Sequence, residues 1–274
     1  MKLGRYLVKN IRAIIFSGLL TSGLAILIFI RTFTFVSHFW IGASILYLVF
    51  VIEVLVVQFW AQRKLMQLNI PVVDRYSLIT QIIMHGALPS LSYWGIIGFI
   101  AFDPNPGIWI WFLIGIFLLF TTLFTNMRAY YEDKFKLEQR THYIYDLLKL
   151  VIFGLLSFDV IGFGLRLELN PLIISFFIML IATFLLLLTL RRYHNLFDHS
   201  IFYVIVNTVM LGGATFVLLL FEVFSLFEVS LVVFLLYYIS AGVLHHKLMR
   251  DLTVELVFEY LMVAALAIGM FWAV

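Results

Sequence analysis

Residues 170–192 read NPLIISFFIMLIATFLLLLTLRR, and positions 171–190 contain no charged residue. The hydrocarbon core of a bilayer is roughly 30 Å thick, so a helix that crosses it needs ~20 mostly apolar residues. Without water, only a helix or a closed barrel satisfies its own backbone polar groups. A continuous apolar run of this length, with no period-two alternation, predicts a helix and not a barrel strand. The Asn170–Pro171 pair opens it, with proline in the first turn, where its missing N–H costs nothing. Arg191 and Arg192 close it.

The same pattern extends in both directions. Nine runs of this kind cover 11–30, 34–60, 78–102, 108–126, 147–165, 170–190, 199–221, 225–246 and 253–273. The chain is 64% hydrophobic and 12% charged, with a mean hydropathy of +1.10. A soluble domain carries about 25% charged residues, so the expectation is an all-α polytopic membrane protein of about nine transmembrane helices.

Charge then orders the helices. Sixteen of the eighteen Lys and Arg fall at the N-terminus and in alternate gaps. These are Lys2, Arg5, Lys9 and Arg12; Arg63, Lys64 and Arg75; Arg128, Lys134, Lys136, Arg140 and Lys149; Arg191 and Arg192; and Lys247 and Arg250. Arg31 and Arg166 lie in the opposite gaps. Short basic loops stay on the side of synthesis, which predicts the N-terminus inside, the C-terminus outside and an odd number of spans. A polar gap at Leu68–Ser77 suggests a division into an N-terminal hairpin, 1–77, and a seven-helix bundle, 78–274. Asp103–Gly107 (DPNPG) predicts a tight outer turn. Met127–Asp146 is polar and aromatic enough to continue a helix beyond the membrane. Tryptophans and tyrosines near the run ends read as the interfacial aromatic belt.

There are no cysteines, so disulfides and thiolate-bound metal are excluded. No His-Glu-x-x-His, phosphate loop or nucleophile elbow is present. Of the seven histidines (His38, His85, His142, His194, His199, His245 and His246), most lie at predicted membrane boundaries; only His85 is a haem-ligand candidate, and no partner for it is evident. The adjacent His245 and His246 point about 100° apart on a helix, poorly placed to share one metal. Acids within the runs carry more information, because a charge at the bilayer centre costs at least ~2.5–3.5 kcal/mol. Glu53 has no partner suggested by the sequence and reads as structural. Asp159 lies ten residues beyond Lys149, about 15 Å along a helix, too far to pair with it directly.

The order of these landmarks over 85–274 resembles subunit III of haem–copper terminal oxidases, the cytochrome c oxidase subunit 3 family. The similar segments are His85 with Pro89, Ser90 and Trp94-Gly95; Asn126-Met127-Arg128-Ala129-Tyr130-Tyr131; and Phe158-Asp159-Val160 with Lys149 and Phe163. Asn170-Pro171-Leu172, His194-Asn195-Leu196, Glu222, His245-His246, Asp251 and Phe271-Trp272 follow in order. Asp159 stands where that family has a glutamate, and Tyr and Lys replace its Trp-Trp-Arg. The resemblance implies a seven-helix core plus the added hairpin, in a non-catalytic subunit of a respiratory terminal oxidase. Such a subunit holds no redox centre, binds phospholipids between its first two and last five helices, and supports proton uptake by the catalytic subunit. Haem and copper are then expected in partner subunits of complex IV, in a mitochondrial inner membrane or a bacterial plasma membrane, with no role for nucleic acid. Carried over, Asp159, Lys149, Tyr130, Tyr131, Lys134 and His194 are the lipid-binding and proton-uptake candidates. The competing expectations are a secondary transporter or channel, and a structural subunit of another respiratory complex.

Overall fold

A computed structural model describes residues 2–33, 36–67, 86–102, 109–132, 138–192, 200–221, 224–249 and 252–272. Among the described residues there are nine α-helices and no strands. They are α1 (Lys2–Phe33), α2 (Val36–Gln67), α3 (Leu88–Phe102), α4 (Trp109–Glu132), α5 (Glu138–Arg166), α6 (Pro171–Arg192), α7 (Ser200–Leu220), α8 (Leu226–Met249) and α9 (Val254–Trp272). Six contain a stretch long and apolar enough to cross a membrane: Ile11–Arg31, His38–Val57, Asp146–Arg166, Pro171–Leu190, Ile201–Leu220 and Leu226–Leu248. The chain is a polytopic helical membrane protein. The helices also outrun their apolar segments. α4 continues through Tyr130 and Tyr131 to Glu132, and α5 begins at Glu138, since polar residues such as Glu, Gln and Arg are good helix formers. The proposed Asp103–Gly107 turn and the Leu68–Ser77 gap lie outside the described residues.

The chain forms two compact units, Met1–Leu148 and Lys149–Val274. In the first, α1 packs on α2 and α4, and α2 also packs on α3 and α4. The apolar stretches of α1 and α2 present oily residues both inward and outward, so apolarity alone does not choose the inner face. Shape and polarity choose it, as expected where lipid tails are as oily as leucine. On α1 the buried stripe is Ala13, Ser17, Leu20, Leu24 and Leu27, spaced at four and three residues, while Ile11, Ile15, Leu19 and Ile26 face outward. Gly23 lies against Leu46 and Gly42 against Leu27, so α1 and α2 approach closely. Phe50 of α2, fully buried, is the hub of an aromatic cluster. Its ring centroid is 5.5 Å from Tyr93, 5.7 Å from Phe120 and 5.8 Å from Phe124. Tyr93 is sealed into this cluster with its hydroxyl donating to the Ala43 carbonyl at 2.7 Å.

In the second unit, α7 packs on α6 and α8, while α8 also packs on α6 and α9. The membrane part of α5 joins them through Phe153 stacked on Tyr237 at 3.8 Å and Phe158 against Phe227 at 5.2 Å. Helix ends carry their own chemistry. Asn170 caps α6, its Oδ1 accepting from the Leu172 N–H at 2.9 Å with Pro171 as the first helical residue, as the sequence predicts. Ser225 and Glu228 form a reciprocal capping box at the start of α8.

α5 ends in a Schellman turn: the Leu169 N–H donates to the Gly164 carbonyl at 2.9 Å and the Glu168 N–H to Leu165 at 3.2 Å. The left-handed position of that turn, normally glycine, is occupied by Glu168 at φ 51°. A side chain there costs roughly 1–2 kcal/mol. The substitution Glu168→Gly is therefore expected to stabilise the protein by about 1 kcal/mol in equilibrium unfolding from mixed micelles. An unchanged or lower stability contradicts this assignment.

Candidate functional site

The site candidates scatter across the described helices. Lys149 lies one turn inside the apolar part of α5 and is 3% exposed. Its Nζ donates to the Thr189 hydroxyl of α6 at 2.6 Å, and that hydroxyl donates to the Leu185 carbonyl at 3.3 Å. A buried ammonium needs such acceptors, since its desolvation is otherwise uncompensated. Thr189 is well placed because α5 and α6 run antiparallel, with Gly164 against Ile174 fixing the other end of the same register.

Asp159 is 6% exposed, and its Oδ1 has no hydrogen-bond partner. Phe153 and Phe158 turn toward α8. Asp159 is rotated about 120° from the first and about 100° from the second, on the side away from α8. It is also about 15 Å from Lys149 along the axis. The structure therefore places these two buried ionisable residues on one helix without bringing them together. Tyr130 and Tyr131 occupy the last turn of α4. Lys134 and His194 lie outside the described residues, as do His85, His199, Glu222 and Asp251. Among the described residues no group of three or more His, Cys, Asp or Glu is arranged to hold a metal ion.

One ion pair escaped the sequence reading. Glu53 of α2 accepts two hydrogen bonds from Arg12 of α1, Nε to Oε1 at 2.9 Å and Nη2 to Oε2 at 2.8 Å. The Glu53 side chain is 11% exposed and that of Arg12 52%, so the acid is held inside and the guanidinium reaches it from a wetter position. This bidentate fork joins the two helices with orientation as well as charge. The signal was present in the antiparallel register of the hairpin, which sets residue 12 close to the level of residue 53. Arg31, one of the two misplaced cations, donates to the Ile100 carbonyl in the last turn of α3. An open groove of about 420 Å³ runs between α1 and α4, lined by Gly18, Ser22, Ala25, Ile110, Ile114 and Phe117. Its lining hydroxyls, Thr21 and Ser22, donate to their own helix at the Ser17 and Gly18 carbonyls.

The architecture and its buried polar groups define a polytopic α-helical membrane protein with internal ionisable side chains. The chain belongs to the family described as protein of unknown function (DUF5656), which matches residues 40–274. The match begins inside α2. No curated protein and no solved structure matches the chain.

The Arg12–Glu53 pair gives an asymmetric prediction. Removing the arginine strands a buried acid, so Arg12→Ala is expected to cost about 1–3 kcal/mol. The double variant Arg12→Ala/Glu53→Leu is expected to recover most of that loss. A double-mutant cycle in reversible unfolding with no coupling between the two sites refutes the clamp.

Proposed function

We propose that the chain is a non-catalytic subunit of a larger membrane assembly, and that the assembly is a haem–copper terminal oxidase. The reading includes nine spans, with the N-terminus on the side of synthesis and the C-terminus opposite. The observation that carries it is Asp159, a buried acid on α5, the third helix of the seven-helix core, where the resemblance expects one. Further support comes from the division between Leu148 and Lys149, which falls inside α5 and groups its apolar part with α6–α9. The resemblance expects the first two core helices, α3 and α4, to separate from the last five.

In this role the chain supplies fit and environment. Lys149 and Asp159 are the internal groups that contact phospholipid or assist proton uptake by the catalytic subunit, with Tyr130, Tyr131, Lys134 and His194 as further candidates. Haem and copper belong to the partner subunits, in a mitochondrial inner membrane or a bacterial plasma membrane.

A secondary transporter or channel is the second reading. It is favoured by the same Asp159, whose buried oxygen lacks a protein partner. Intramembrane acids of that kind often mark ion pathways. Mild-detergent extraction from the native membrane separates the two readings. The oxidase reading expects a multi-subunit complex with a Soret band, while the isolated chain shows none. A native complex without haem absorption overturns it, and flux through liposomes holding the chain alone supports the transporter.

A further inference from the structure

α8 ends with His245-His246-Lys247-Leu248-Met249, and consecutive side chains on a helix diverge by about 100°. Lys247 and His246 therefore address different neighbours. The Lys247 ammonium stands 4.8 Å from the ring centroid of Tyr203, in the first turn of α7. The His246 ring lies 6.0 Å from that of Tyr260 on α9. Tyr260 is itself fixed, 5.2 Å from Tyr238 and closed over Gly242, where any larger side chain would collide with its ring.

This arrangement holds a cation against an aromatic face. The Tyr203 ring orients the ammonium, while the Lys247 side chain remains exposed. The depth is that of headgroups. Lys247 is the next-to-last residue of the apolar stretch Leu226–Leu248, and Tyr203 is the third of Ile201–Leu220. Lysine and tyrosine at such positions send their polar ends to the interface. Beside Tyr203, Phe202 is 70% exposed and Val206 38% exposed, an apolar surface for acyl chains. The acids of α9 do not oppose an anion here. Tyr260 faces α8, whereas Glu259 and Glu255 are exposed and rotated from it by about 100° and about 140°.

We propose that the end of the second unit where α8 stops and α7 begins binds the phosphate of an anionic phospholipid through Lys247, with the Tyr203 ring beside it. Basic pockets between transmembrane helices recognise such headgroups. The site depends on the membrane placement of these helices and not on the oxidase reading.

The test uses the full chain in nanodiscs of phosphatidylcholine with a minor share of phosphatidylglycerol. Retained lipid is read by native mass spectrometry, and helicity by circular dichroism. The unmutated protein is expected to enrich phosphatidylglycerol. Lys247→Gln is expected to lower that enrichment about five-fold, and Lys247→Arg to keep it. In the unmutated protein the enrichment falls as ionic strength rises and survives excess inorganic phosphate. Wild-type enrichment in Lys247→Gln overturns the proposal. So does enrichment that is independent of salt, or displacement by free phosphate as effective as by lipid.

Discussion

Inside hydrocarbon a backbone amide has no water to bond, and every other feature of this protein follows from that constraint. It forces the apolar runs into helices. It also draws small polar side chains into the same ladder. Ser17, Thr21, Ser44, Thr183 and Thr215 each donate to the carbonyl four residues earlier in their own helix. Polar groups so engaged contribute little between helices. Inter-helix specificity then falls to close backbone approach at glycine, to aromatic clusters, and to a small set of strong polar links such as Arg12–Glu53 and Lys149–Thr189.

Charge plays a second part, at the helix ends. The two cations that depart from the alternating pattern are both at helix C-termini. Arg31 donates to a carbonyl in the last turn of α3, and Arg166 is the last residue of α5. The final carbonyls of a helix are unpaired and bear partial negative charge, so a cation there is stabilised locally. Each exception thus has a bond or a dipole to answer for it.

The fold was largely legible in the sequence, because run length and absence of alternation depend on nothing but the residues themselves. Nine apolar runs correspond in order to the nine helices among the described residues. Local caps are equally legible: Asn170–Pro171 marks the start of α6, and the Ser225–Glu228 spacing is that of a capping box. Pairings were not legible. Glu53 finds Arg12 only once Gly23 and Gly42 have set how α1 lies on α2. Lys149 sorts with the loop cations by sequence, yet it is buried three residues inside the apolar part of α5. The polar gap near residues 68–77 interrupts the apolar pattern, which does not say which helices pack together. Asp159 is visible as an acid in an apolar run, but the unpartnered state of its Oδ1 is a property of the folded chain.

The account as a whole depends on helices threaded back and forth across a bilayer in the order that their flanking charges dictate. The absence of cysteine makes this directly measurable, since any introduced thiol is unique. Single substitutions Glu138→Cys, Arg192→Cys and Met249→Cys are expected to react with a membrane-impermeant maleimide from one face of sealed vesicles. Phe33→Cys, Glu168→Cys and Phe221→Cys are expected to react only from the other. Labelling of both sets from the same face would contradict the threading and, with it, the reading of every helix described above.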